Sequence, residues 1–274
     1  ATNGSDEILN FAFMAFTDIY NPALFADITY GFYPVFADLN GSRTEIVPLR
    51  DDFTLSVDDY IGRKGTVFIA NPNAPTGISL PLSEIERLVA SDYGRVVVID
   101  EAYVDFGGES AVGLTKKYDN ILVCQTFSKS RSFAGGRLGY GIGSEALISD
   151  LNTVKYSTNP YNINSMTSAM GIGILKDGEY TATNCRTIME NRDYTVKALK
   201  AMGFRVLPSS ANFIFVSSDK IDGGEYYRKL KEKKILVRHF DKPRISSWCR
   251  VSIGRRDQME AFLKATEEIL KEKV

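Results

Sequence analysis

The chain has 274 residues, with 33 Lys plus Arg against 34 Asp plus Glu and a formal net charge of −1. That balance offers no basic surplus for nucleic acid and no acidic excess of the kind that keeps a chain disordered. A single histidine, His239, rules out a histidine-rich metal centre. Three widely spaced cysteines (Cys124, Cys185, Cys249) suit reduced thiols in a cytoplasmic protein better than a disulfide framework.

The first helix opens at Gly4-Ser5 with Asp6 and Glu7 in its first turn, where acid suits the positive helix end. Its run of Ile8, Leu9, Phe11, Ala12, Phe13, Ala15 and Phe16 predicts burial on most sides. The preceding residues have neither the basic nor the apolar region of a signal peptide. No apolar run approaches the roughly 20 residues that span a bilayer. Thr66–Ala70 reads as a strand stopped by the turn sequence Asn71-Pro-Asn-Ala-Pro-Thr-Gly77. A helix over Leu82–Ala90 follows, with Ser83 as its expected cap. A strand at residues 96–99 lacks polar alternation, as in a parallel sheet covered on both faces, and further strands are expected at 121–124 and 138–142. Strands alternating with helices predict βαβ units and a layered α/β domain.

Beyond about residue 160 the pattern changes. Helices are expected at 165–175 and 181–202, then a strand at 212–216, a helix at 225–233, and strands at 235–238 and Trp248–Ser252. The last helix aligns Met259, Phe262, Leu263, Thr266, Ile269 and Leu270 on one face. The expected division is a large α/β domain over residues 1–160 and a smaller C-terminal α+β domain with its linking helix over residues 161–274.

Two of the predicted strands end in chemistry. Residues 96–99 run into Asp100-Glu101-Ala102-Tyr103, and residues 121–124 into Gln125-Thr126-Phe127-Ser128-Lys129, with Arg137 in the next loop. Ligands of open α/β sheets bind at the carboxyl ends of strands, so these groups are expected to converge. Singly, an Asp there is a turn former and a Lys a solvated charge. Together they supply an acid, a phenol, an amine and phosphate-binding groups, the set that pyridoxal phosphate needs. Gly4-Ser5-Asp6 adds backbone amides and a hydroxyl at a helix start, a second phosphate contact.

The segments Asn71-Pro-Asn-Ala-Pro-Thr-Gly77, Asp100-Glu-Ala-Tyr103, Thr126-Phe-Ser-Lys129 and Ala134-Gly-Gly-Arg137-Leu-Gly-Tyr140 stand in the order found in fold-type I aminotransferases. The chain most resembles the histidinol-phosphate aminotransferases. Asn3-Gly-Ser-Asp-Glu7, Thr29-Tyr30-Gly-Phe-Tyr33, Ala211-Asn-Phe-Ile-Phe215 and Cys249-Arg250-Val-Ser-Ile-Gly254 extend the match along essentially the whole chain. The resemblance implies a mainly parallel sheet flanked by helices and a homodimer with sites at the subunit interface. Phe11, Phe13 and Phe16, more apolar surface than one helix face needs, are in keeping with such a partner. By position it makes Lys129 the Schiff-base lysine, Asp100 the partner of the pyridinium nitrogen and Tyr103 the donor to the ring oxygen. Gly4, Ser5, Asp6, Thr126, Ser128 and Arg137 fall at or beside the phosphate, and Tyr30 stacks on the ring. Arg250 matches the arginine that binds a substrate carboxylate, and Arg238 is a second candidate anion contact.

Two departures stand out. The family's usual asparagine before Pro75-Thr-Gly is Ala74 here, so either Asn73 reaches the ring oxygen or Tyr103 carries that contact alone. The family's chains also begin about 80 residues earlier, which reads as an N-terminally incomplete large domain with exposed apolar surface around the first helix. The implied reaction is transamination of histidinol phosphate, or in reverse of imidazole acetol phosphate with glutamate. Aromatic-amino-acid aminotransferases and a phosphothreonine decarboxylase share these motifs and are the alternatives. A non-catalytic protein retaining the fold is a third reading, against which an intact set of site residues stands. No G-x-G-x-x-G follows a strand and no G-x-S-x-G elbow exists, which disfavours a nucleotide-binding protein and a serine hydrolase.

Overall fold

The computed structural model describes residues 1–272. Its larger sheet is built from β1 (Ala23–Ala26), β2 (Thr44–Val47), β3 (Thr66–Ala70), β4 (Val97–Asp100), β5 (Ile121–Thr126) and β6 (Gly139–Ile142), in the order β2-β1-β3-β4-β5-β6. All neighbours run parallel except β5 and β6. The strand expected at 138–142 is therefore an antiparallel edge, joined to β5 by the short loop that carries Lys129 and Arg137.

Side-chain alternation along each strand sorts the core into two layers. Phe25, Phe68, Val98, Leu122 and Cys124 face α1 (Ser5–Phe16), α2 (Tyr33–Leu39) and α4 (Glu145–Thr158). Leu24, Ile69, Val97, Ile99 and Val123 face α3 (Leu82–Ala90). That parity decides the site: Asp100 follows Val98, and Thr126 follows Leu122 and Cys124, so both belong to the α1–α2 side at the carboxyl ends of their strands.

The smaller sheet is antiparallel throughout, in the order β7 (Arg205–Val206), β8 (Phe213–Ser217), β10 (Trp248–Ser252), β9 (Arg238–His239). One face, with Ile214, Val216, Cys249 and Val251, is covered by α6 (Gly178–Ala201), α7 (Gly223–Glu232) and α8 (Arg256–Lys271). The other, with Phe213, Phe215 and Trp248, packs against Ala26 at the end of β1 and Ile28, Leu49, Phe53 and Ala74 of the larger sheet's loops. Arg250 has the parity of Trp248 and so lies in the seam between the sheets.

Several expectations change. Ser83 does not cap α3; the cap position is Pro81, and no side chain caps the helix. Helix α4 was not anticipated, because only Leu147 and Leu151 of its 14 residues are fully buried and no apolar stripe announces it. The strand expected at 235–238 shrinks to Arg238–His239 at a sheet edge. Phe11 and Phe13 are consumed by the core of this chain, where Phe13 stacks on Phe68 with centroids 4.0 Å apart, and offer nothing to a partner. Large exposed apolar side chains form two groups: Met14, Phe32, Val35 and Leu39 on and beside α1 and α2, and Met166, Met170, Ile172 and Leu175 on α5 (Ser165–Lys176). Cys124, Cys185 and Cys249 are all buried free thiols. Among the described residues no helix is long and apolar enough to cross a membrane.

Candidate active site

A cavity of about 160 Å³ opens at the carboxyl ends of β3, β4 and β5. Asp100, Tyr103 and Lys129 line it, with Thr126 and Ser128 between them and Ser5, Asp6, Tyr30 and Arg137 across the opening. Residues separated by up to 132 positions thus meet on the side of the sheet that strand parity selects.

Its floor is Asp100, 5% exposed and without a cation at ion-pair distance among the described residues. Oδ2 accepts the Tyr33 hydroxyl at 3.2 Å and Oδ1 the Ala102 amide at 3.3 Å. Burial pushes this carboxyl up to about 7; the two hydrogen bonds and the Lys129 charge act against that, and Asp6 acts with it. A carboxylate held dry with so little compensation is a receptor for a cationic group placed in the cavity.

The opposite wall is built for an anion. Helix α1 begins here at Gly4 with φ +82° and no side-chain cap, so its first amides are left to a ligand. A Cβ on Gly4 would come within 2.3 Å of Arg137 Nη2, and one on Gly139 within 2.5 Å of Gly4 C and Ser5 N. Glycine at both positions is what lets the helix start, β6 and the guanidinium crowd together. Arg137 itself adopts the left-handed region at φ 51°, an uncommon conformation for a non-glycine residue. Its Nη1 donates to Ser128 Oγ at 3.4 Å, and Nη2 lies 3.5 Å from Asp6 Oδ2. Thr126 Oγ1 accepts the Ser128 amide and donates to Ser128 Oγ, both at 3.1 Å, fixing the turn before Lys129.

Lys129 is exposed at the cavity mouth, its Nζ 5.4 Å from the centroid of the Tyr103 ring. Tyr103 stands edge-on to Phe213 at 5.0 Å. Tyr30 donates its hydroxyl to Asp6 Oδ1 at 2.7 Å, and burial followed by that bond pushes the phenol well above its ordinary value.

Asn73 is placed elsewhere. Its Nδ2 donates to Ile28 O at 2.9 Å and Thr76 Oγ1 at 3.1 Å, while Oδ1 accepts Thr29 Oγ1 at 2.8 Å. With its oxygen committed to Thr29 and its amide to Ile28 and Thr76, Asn73 lines a neighbouring apolar pocket and not this cavity. The adjacent Ala74 does line the cavity and packs with Ala211 and Phe213. Arg250 and Arg238 are cross-strand partners on β10 and β9. Arg250 lies over the Phe213 ring at 5.0 Å with a buried Nε that lacks an acceptor, and Arg238 over Phe240 at 5.5 Å. Neither has a carboxylate partner among the described residues, and like charges directly opposite repel unless an anion joins them.

Sequence reasoning missed three residues. Tyr33 is the side-chain donor to Asp100; it ends a quoted motif, but nothing local says where its hydroxyl points. Asp105 accepts from Ser130 Oγ and Arg131 Nη1, tying the turn after Tyr103 to the loop after Lys129. Glu101, buried on the opposite face from Asp100, accepts from Ser110 Oγ at 2.7 Å, the Ala111 amide at 2.6 Å and Gln125 Nε2 at 2.8 Å. Gln125 Oε1 in turn accepts Tyr140 OH at 2.5 Å, so a polar ladder joins β4, β5 and β6 beneath the cavity.

The model of the family "Aminotransferase class I and II" matches residues 1–265. A histidinol-phosphate aminotransferase of Acinetobacter baumannii is 47% identical over 266 residues, 97% of this chain and 74% of the relative. One from Brachyspira hyodysenteriae is 46% identical over 270 residues, 98% of this chain and 76% of the relative. The crystal structure of the histidinol-phosphate aminotransferase from Clostridium acetobutylicum superposes with a TM-score of 0.91 at 25% identity, covering 99% of this chain and 83% of that one. The chain belongs to the class I and II aminotransferases.

Proposed function

We propose that this protein is a pyridoxal-phosphate-dependent aminotransferase acting on histidinol phosphate, or in reverse on imidazole acetol phosphate, with glutamate and 2-oxoglutarate as the amino pair. The observation that carries the reading is the polarity of the cavity: a dry, cation-seeking Asp100 at the floor and an uncapped helix start with Arg137 at the opposite wall. A pyridinium nitrogen and a phosphate at opposite ends of one small molecule fit those two needs. The name borne by relatives 46% and 47% identical supports the substrate.

In that reading the amides of Ser5 and Asp6 beyond Gly4, with Ser128, Thr126 and Arg137, hold the phosphate. Asp100 holds a proton on the ring nitrogen, Tyr103 donates to the ring oxygen without help from Asn73, and Tyr30 covers the ring. Bound there, the cofactor supplies an electron-withdrawing ring and an aldehyde that captures amines. Lys129 would hold that aldehyde, and its Nζ is the amine that would move the substrate's Cα proton. Arg250 and Arg238 bind the anionic end of the substrate, with Phe213 orienting the Arg250 plane. The apolar side chains of α5 support a homodimer; a monomer by light scattering at micromolar concentration would contradict it. Three buried free thiols support a cytoplasmic location, and residues 1–160 and 161–274 are proposed as the two domains, one for each sheet.

The test is the visible absorption of the purified chain with pyridoxal phosphate, before and after histidinol phosphate or glutamate. A cofactor band that either donor bleaches supports the reading, with the faster donor setting the preference. A band that no amino donor changes, or no band at all, overturns it.

A further inference from the structure

We infer that Tyr33 is a positioning residue for Asp100: its hydroxyl fixes the carboxylate at the cavity floor and favours its charged form there. The inference rests on the proposed role of Asp100 toward the cofactor's ring nitrogen and adds a residue outside the cavity lining. Tyr33 opens α2 and is fully buried. Its ring sits among Phe25, Tyr30, Phe68 and Phe13, with centroids 5.7, 5.6, 5.9 and 6.3 Å away. Phenylalanine would fill that space equally well, so packing does not account for the hydroxyl. A buried hydroxyl without an acceptor is costly, and the acceptor here is Asp100 Oδ2.

Asp100 needs the contact more than Tyr33 does. Among the described residues Tyr33 is its one side-chain donor, and the Ala102 amide its other hydrogen bond. The charged and titratable groups that bear on it are Asp6 from α1, Tyr33 and the neighbouring Tyr30, Cys124 on β5, Tyr103 and Lys129. Asp6 works against the carboxylate charge and Lys129 with it, but Lys129 is at the exposed mouth and becomes committed when it anchors an aldehyde. Tyr33 is the donor that stays in place throughout. Removing its hydroxyl frees Oδ2 and leaves burial less opposed.

The experiment uses the full chain without cofactor, with carboxyl carbons labelled so that Asp100 is followed by NMR against pH. Tyr33→Phe is compared with wild type and with Tyr226→Phe, which removes a buried hydroxyl bonded to Thr266 in the small-sheet core. The expected result is an Asp100 midpoint raised by about one pH unit in Tyr33→Phe and unmoved in Tyr226→Phe. Pyridoxal phosphate is then expected to dissociate about tenfold more readily from Tyr33→Phe, while the thermal transition shows it folded. An unmoved midpoint in a folded Tyr33→Phe overturns the inference, as does a moved midpoint with unchanged cofactor affinity. Wild type that binds no pyridoxal phosphate would remove the aminotransferase reading, while the titration still decides the Tyr33–Asp100 link.

Discussion

The two sheets differ in the kind of group they leave without an ionic partner. At the end of β4, Asp100 is an acid buried under α1 and α2, touched by one hydroxyl and one amide. On β9 and β10, Arg238 and Arg250 are cations lying on aromatic faces with no carboxylate partner. Charges in proteins are commonly met by an opposite neighbour, as Arg244 is by Asp27 at 2.5 Å where the two sheets' loops meet. The groups left unneutralised mark where ligands bring the missing charge. In the proposed function the larger sheet offers Asp100 to the cationic ring nitrogen of the cofactor. In the proposed function the smaller sheet offers its two arginines to the anionic end of the substrate, on longer and partly exposed side chains.

The sharpest break is Lys129→Ala, which leaves both charged regions standing and removes the amine at the cavity mouth. Turnover is expected to fall by at least about a thousandfold with the fold unchanged by circular dichroism. Turnover near wild type would refute the mechanism.

Asp100→Asn separates function from stability. In the folded cofactor-free chain Asp100 keeps its proton up to about 7, against 3.8 for an ordinary aspartate. Between those values the folded state binds more protons than the unfolded one. This residue's contribution is therefore most favourable below about pH 4, declines as pH rises to about 7, and is then constant. Asparagine removes the decline. At pH 8 the cofactor-free variant is expected to be more stable by up to about 4 kcal/mol in urea melts, while activity falls at least about a hundredfold. Equal stability of the two proteins at pH 8 would show that Asp100 is not under strain from burial.

Gly139→Ala attacks the anion wall. The new Cβ would meet backbone atoms of Gly4 and Ser5, which cannot swing aside as a side chain can. A stability loss of about 1–3 kcal/mol and a weaker hold on pyridoxal phosphate are expected. Unchanged affinity would place the phosphate elsewhere.

Arg250→Lys tests the second region with the smallest disturbance. A lysine keeps the charge but loses the planar fork that lies over Phe213, so substrate KM should rise about tenfold with cofactor affinity unchanged. An unmoved KM would remove Arg250 from the substrate site.

Much of the fold was legible because periodicity and burial agree in it. The apolar runs of β3, β4 and β5 have no polar alternation since both faces are covered. Helix α3 has the bounds expected of it, and the structure buries its Ile85, Leu88 and Val89. Helix α4 was illegible because only one narrow edge of it meets the core, and the direction of β6 because an antiparallel edge strand is written in the same residues as a parallel one. In the site, Asp100, Tyr103, Lys129 and Arg137 were legible as polar groups at strand ends. The exclusion of Asn73 was not, since it depends on hydrogen bonds to Ile28 and Thr29, about 45 residues away in the chain.

The sequence by itself determined which chemical groups are present, their order along the chain, and the strand ends that carry them. Those follow from local propensity and from residue types whose chemistry is fixed. Tertiary structure alone decided which face of the sheet they occupy, that Asp100 is dry, that Tyr33 is its donor, and that the two arginines lie opposite each other. Burial and cross-strand register are set by packing between distant segments, and no local window of residues contains that information.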